Sequence, residues 1–193
     1  MPKIVDHELF REELLHRYFN HFSKRGYINP TMREVAEELG VSTGTLYHYF
    51  PTKASLLEQL FTMASRRDSS AVLSQFDDDT PIETRLKVFC DYVKENETYF
   101  RDIVLLTIDF YRFQDPAGFF EVMKEADRYY AETFEKGLRL EPDLAHIAMV
   151  FLNGLVYHRL VFPNSVSFDA LADRFQDMFL HYLKGREAGD AAE

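Results

Sequence analysis

Ser42-Thr43-Gly44-Thr45, then Tyr47-His48-Tyr49 and, beyond Pro51, Thr52-Lys53 bring hydroxyls, phenols, an imidazole and an ammonium into one short stretch. Such groups hydrogen-bond and pair with charge; they do not make a reacting centre. Elsewhere the residues capable of chemistry stand apart. His146, His158 and His181 lack an HExxH, paired-Cys or Glu-x-x-His arrangement, and the single Cys90 has no evident activating partner. There is no GxSxG motif and no phosphate-cradling glycine loop. No catalytic residue, no metal site and no cofactor are expected.

The elements that would carry the Ser42–Lys53 run can be read around it. Ala36 lies four residues before Gly40, and Val35, Leu39, Val41 and Leu46 fall where two short helices would pack across a tight turn. Thr31 with Glu34 has capping-box spacing, Ser42 suits an N-cap, and Phe50 before Pro51 ends the second helix. This is helix-turn-helix spacing, which an ordinary helical hairpin shares. A first helix is predicted from Asp6 to Arg25, with Phe10, Leu14, Tyr18 and Phe22 in one row and Gly26 as its stop. Thr52 starts a longer helix, unbroken by Gly or Pro to about Gln75. Further starts are predicted at Thr80-Pro81-Ile82-Glu83 (a second capping box), Asp115-Pro116, Glu141-Pro142 and Ser167, and fraying from Gly185. The chain therefore reads as all-α with about nine helices: a three-helix head over residues 1–53 and a helical body over 54–193.

Composition limits the function classes. The 193 residues are 46% hydrophobic, as in a globular protein, and no apolar run approaches the roughly twenty residues of a membrane span. Met1-Pro2-Lys3 leads straight into a charged segment, so a cytoplasmic protein with no membrane partner is expected. The net charge of −10 is unevenly divided. Residues 1–53 carry seven Lys/Arg against seven Asp/Glu, whereas residues 54–193 carry 15 against 25. Phosphate is repelled by such a body but not by such a head.

The run Val41-Ser42-Thr43-Gly44-Thr45-Leu46-Tyr47-His48-Tyr49-Phe50-Pro51-Thr52-Lys53, followed by Leu56-Leu57, closely resembles the DNA-binding signature of TetR/AcrR-type transcriptional regulators. The resemblance covers roughly Phe10 to Phe61; Asn29-Pro30 is a minor departure from it. It implies that the second helix of the motif lies in the major groove of a double-stranded operator. Thr43, Gly44 and Thr45 would then approach base edges from the helix that Ser42 caps. Arg33 would reach a guanine or grip phosphate, and Tyr47, His48 and Tyr49 would meet phosphate or sugar. Phe50 suits core packing, and Tyr49 suits core or phosphate equally. Lys53 would anchor phosphate at a helix N-terminus, with Thr31 doing likewise at its own helix. The expected function is a transcriptional regulator, most often a repressor in that family, released from a palindromic operator by a small molecule. The alternative is a helical small-molecule-binding or scaffold protein whose helix-turn-helix is merely structural.

The body supplies the other expectations. Twelve aromatics lie between Phe89 and Phe134, most of them suited to a core. The resemblance implies an effector cavity among them, fitting an apolar or aromatic molecule, although no lining residue can be singled out. The acidic excess hints at a cationic ligand, and solvated helix faces explain it equally well. The last two helices carry broad apolar stripes through Phe151 and Leu155, and through Phe168, Leu171, Phe175, Met178, Phe179 and Tyr182. Their breadth predicts a four-helix homodimer interface, against burial within one subunit.

Overall fold

The computed structural model describes residues 6–25, 30–112 and 116–190, without the side chains of 22–25, 116 and 186–190. Gly26, Asn29 and Asp115 therefore lie outside the described residues, as does the side chain of Phe22. Among the described residues every regular element is a helix: α1 (His7–Arg25), α2 (Met32–Glu38), α3 (Thr43–Tyr49), α4 (Lys53–Leu73), α5 (Ile82–Glu95), α6 (Glu97–Arg112), α7 (Pro116–Leu138), α8 (Pro142–Val161) and α9 (Phe168–Asp190). The all-α reading and the helix count hold.

Two compact units form, and they do not follow chain order: residues 1–69 with 102–130, and residues 70–101 with 131–193. α4 runs without interruption past residue 53. The core of the first unit joins Leu14, Leu15 and Tyr18 of α1, Val35, Ala36 and Leu39 around α2, and Leu46, Tyr49 and Phe50 around α3. Leu56, Leu57, Leu60 and Phe61 of α4 complete it, with Leu106 and Phe110 of α6. Phe110 is flanked by Phe61 and Phe119, at ring-centroid distances of 6.5 and 5.7 Å. On α4 the apolar row gives way to buried Ser65, Asp68 and Ser69. The Asp68 carboxylate accepts from Arg67 Nη2 at 2.9 Å and from the Tyr130 hydroxyl at 2.8 Å, so its charge is met where it is buried.

The second unit packs α5 with α8 and α9. The Phe89 ring lies 4.4 Å from that of Phe134 and 5.9 Å from that of Phe76. Gly137 gives Phe89 room, since a Cβ there would sit 2.6 Å from Phe89 Cζ. Arg85 is a buried cation of this unit. Its guanidinium stacks on Phe76 and donates to the carbonyls of Asp77 at 2.5 Å, Thr80 at 2.7 Å and Gly137 at 2.9 Å. Carbonyl dipoles replace a counter-carboxylate.

One boundary expectation needs correcting, and two boundaries are new. The Thr80–Glu83 capping box does not form: Pro81 is the N-cap of α5, without a side-chain cap. The Thr80 hydroxyl turns to Asp77 instead, donating to its Oδ1 at 2.6 Å and accepting from its N–H at 3.0 Å. A break separates α5 from α6 at Asn96, whose side chain donates to the Tyr92 carbonyl at 2.9 Å. α9 continues past Gly185 to Asp190. α8 is long and apolar enough to cross a membrane by composition, yet Leu144, Ala148, Leu152, Leu155 and Val156 face the core of its unit.

Candidate nucleic-acid interface

α2 and α3 are seven residues each, too short to hold themselves, so their ends are fastened individually. Thr31 caps α2: its Oγ1 accepts from Glu34 N at 3.3 Å, while the Glu34 carboxylate accepts from Thr31 N at 2.7 Å and from the hydroxyl at 2.8 Å. The backbone N–H and then the hydroxyl of Thr31 hold the Glu34 carboxyl below its usual range, with Lys53 adding to the effect. α2 ends in a Schellman turn. Gly40, at φ +65°, donates to the Glu37 carbonyl and Val41 donates to that of Ala36, both at 3.0 Å. The positive φ is why a glycine stands there.

α3 begins at Ser42, whose Oγ accepts from Thr45 N at 3.0 Å and meets Thr45 Oγ1 at 2.8 Å. The cap and the second threonine therefore share a hydrogen bond. Leu46, Tyr49 and Phe50 turn into the core; Gly44, Tyr47 and His48 face outward, and Thr43 and Thr45 are half-buried. Tyr47, at 48% exposure, is the large side chain this helix presents. Thr31 and Arg33 are exposed at the start of α2. Of the ten candidate contact residues, all but Tyr49 are thus exposed or half-buried. Tyr49 is 8% exposed, its ring 5.5 Å from that of Phe10, and its hydroxyl is 2.7 Å from His7 Nδ1. Packing claims the ring, and His7 claims the polar tip. Sequence reasoning missed His7, because nothing in a single chain marks a pairing 42 residues apart.

Thr52 and Ser55 cap α4 reciprocally: Ser55 N donates to Thr52 Oγ1 at 3.0 Å, and Thr52 N donates to Ser55 Oγ at 3.1 Å. Lys53 is the first helical residue and is half-buried. Burial lowers its ammonium to about 8, against the pull of the Glu34 carboxylate in the other direction. A cation near a helix N-terminus would offer an anion two reinforcing partners.

The other chemistry-bearing residues stay apart. Burial pushes the Cys90 thiol up to about 12, so a thiolate is scarce at neutral pH. His158 Nε2 lies 2.9 Å from Ser165 Oγ, while His146 and His181 are exposed. Among the described residues no group of His, Cys, Asp and Glu converges as a metal site. Most body aromatics pack against one another, although Tyr111 and Phe120 are 55% and 61% exposed. A groove of about 750 Å³ in the first unit is lined instead by charged side chains of α1 and α4, including Glu12, Glu58 and Arg66. The predicted interface stripes divide. Leu155, Phe168, Phe175 and Phe179 are buried within their own unit, and Phe151 stacks on Phe175 at 4.0 Å. Leu171 is half-buried, and Met178 and Tyr182 are exposed, as are Ile147, Val150 and Tyr157 of α8.

Comparison with known proteins accords with this geometry. Residues 14–60 match the family model of bacterial regulatory proteins of the tetR family. The chain is 29% identical over 104 residues to the HTH-type transcriptional regulator PksA of Bacillus subtilis, covering 53% of this chain and 51% of that one. It thus spans about half the length of that curated relative, and less of the others it matches. A solved transcriptional regulator from Pseudomonas aeruginosa PAO1 has the same fold, with a TM-score of 0.72 at 16% identity over 94% of this chain and 93% of that one. Another, from Saccharomonospora viridis in complex with choline, gives 0.67 at 20% identity over 90% and 97%. The capped α2–α3 pair and the glycine turn thus lie within a segment, residues 14–60, that matches the tetR family of bacterial regulatory proteins, and the chain shares the fold of those solved regulators.

Proposed function

We propose that this protein is a dimeric, sequence-specific DNA-binding transcriptional regulator that acts as a repressor and is released from its operator by a small molecule. The observation that carries the reading is the outward face of α3. Its apolar side is committed to the core, while Gly44, Tyr47 and His48 face solvent with Thr43 and Thr45 beside them. Such a face offers hydroxyl, imidazole and phenol groups plus one position where the backbone can come close, which suits a major groove. Thr31, Arg33 and Lys53 flank it as phosphate contacts, and Ser42 fixes the helix start. Residues 1–53 are the DNA-binding part and residues 54–193 the effector and dimerisation part, in the cytoplasm.

Dimerisation through α8 and α9 is supported by the exposed apolar positions Ile147, Val150, Tyr157, Met178 and Tyr182, which remain after each helix has filled its own core. The effector follows from the family. The choline held by one similar structure makes an organic cation as reasonable a candidate as an apolar or aromatic molecule. The test is a titration of duplex DNA with variants of two kinds. Lys53→Ala should weaken binding to all sequences and reduce the salt slope by about one unit, whereas Thr43→Ala should change the preference among sites. Equal binding and equal salt dependence in Lys53→Ala would refute the anchor.

A further inference from the structure

We infer that His7, in the first turn of α1, is a positioning residue of the DNA interface: through the Tyr49 hydroxyl it holds the C-terminal end of α3. The inference rests on the reading of α3 as the DNA-contacting helix and adds to it a residue outside the helix-turn-helix segment. α3 is two turns long, so what it presents depends on what fastens each end. The N-terminal end is capped by Ser42. At the C-terminal end the Phe50 N–H closes on the Leu46 carbonyl at 2.9 Å, and Pro51 follows. Besides the packing of Tyr49 against Phe10, a polar tie from outside the helix is the 2.7 Å hydrogen bond between Tyr49 and His7 Nδ1.

The same small cluster sets its neighbour. The His48 ring meets Tyr49 edge-on at 5.0 Å and His7 at 6.0 Å, so a shift of Tyr49 moves His48 with it. Tyr47 and His48 are the last outward side chains of α3, and their direction follows the angle at which this end is held. Tyr49, already bonded to α1, therefore serves the interface from within. His7 is itself exposed, and its ring meets those of Tyr49 and His48.

The experiment uses a duplex selected from random sequence by the wild-type chain. His7→Ala and Tyr49→Phe should each weaken binding about three- to tenfold, the factor one net hydrogen bond carries. The double variant should lose no more than either single one. The salt slope should stay at the wild-type value, because no phosphate contact has been removed. His7→Asn, which can place a polar atom where Nδ1 stood, should restore binding; His7→Gln should not. Wild-type affinity in His7→Ala, additive losses in the double variant, or a salt slope lower by about one unit would overturn the inference. The last result would make His7 a direct phosphate contact. If the wild-type chain selects no duplex, the DNA reading itself fails, a result distinct from a wild type that binds and a His7→Ala chain that binds equally.

Discussion

With Lys53 as the proposed phosphate anchor, operator binding should depend on pH in a calculable way. Burial lowers its ammonium to about 8, so in the free protein it is about 90% charged at pH 7 and about 10% charged at pH 9. A DNA phosphate beside it favours the charged form, returning it toward the ordinary lysine range near 10.4. Binding therefore takes up a proton above pH 8. The contact is fully present below about 8 and is lost progressively as pH rises toward the bound-state value. Between pH 7 and 9 the linkage amounts to roughly a tenfold loss of affinity. Fluorescence anisotropy of a labelled operator at constant ionic strength would read this directly. Lys53→Arg keeps its charge throughout, because a guanidinium does not deprotonate in this range, and its curve should be flat over the same interval. Parallel wild-type and Lys53→Arg curves, or a wild-type curve level to pH 9, would refute the assignment of Lys53 as a buried phosphate anchor.

Other expectations concern the folded chain. Arg85→Leu strands the carbonyls of Asp77, Thr80 and Gly137, and at ~1.5–3 kcal/mol for each charge-assisted bond it should cost more than about 3 kcal/mol in urea unfolding. A midpoint unchanged from wild type would show that the three bonds contribute nothing net. Gly137→Ala places a Cβ 2.6 Å from a Phe89 ring held by Phe134 and Phe76, an overpacking worth about 1–3 kcal/mol. Phe89→Leu in the same chain should recover part of that loss, and no recovery would place the clash elsewhere. Met178→Glu with Tyr182→Glu should convert the proposed dimer to monomer in sedimentation while thermal unfolding of the subunit persists, since both side chains are more than half exposed. An intact dimer would move the interface to another face.

Local signals carried far in this sequence. The Thr31 capping box, the Gly40 turn, the Ser42 cap and the Phe50-Pro51 stop each depend on residues within a few positions of one another, and α2 and α3 formed where those signals stood. Competition between such signals was not legible. Thr80 has the spacing of a cap for α5, but Asp77 lies equally near and takes its hydroxyl. Asn96 breaks the chain between α5 and α6 without a glycine or proline to announce it. Pairings across long separations left no trace either: Tyr49 looked equally suited to core or phosphate because its partner, His7, is 42 residues away. Arg85 gave no sign that its partners would be carbonyls of three separate residues. The broad stripes of α8 and α9 were plain, but their division was not. Phe175 and Met178 look alike in an apolar row, and only packing within the unit buries one and leaves the other exposed.

Selection of duplex DNA from a random pool by the purified chain tests the central claim most directly. Two copies of α3 in the proposed dimer would enter successive major grooves about 34–36 Å apart, so the enriched sequence should be a palindrome with half-sites spaced accordingly. Its binding should weaken steeply with salt, and Thr43→Ala should enrich a different half-site. A pool that emerges unenriched, or bound sequences without two-fold symmetry that Thr43→Ala leaves unchanged, would contradict the account.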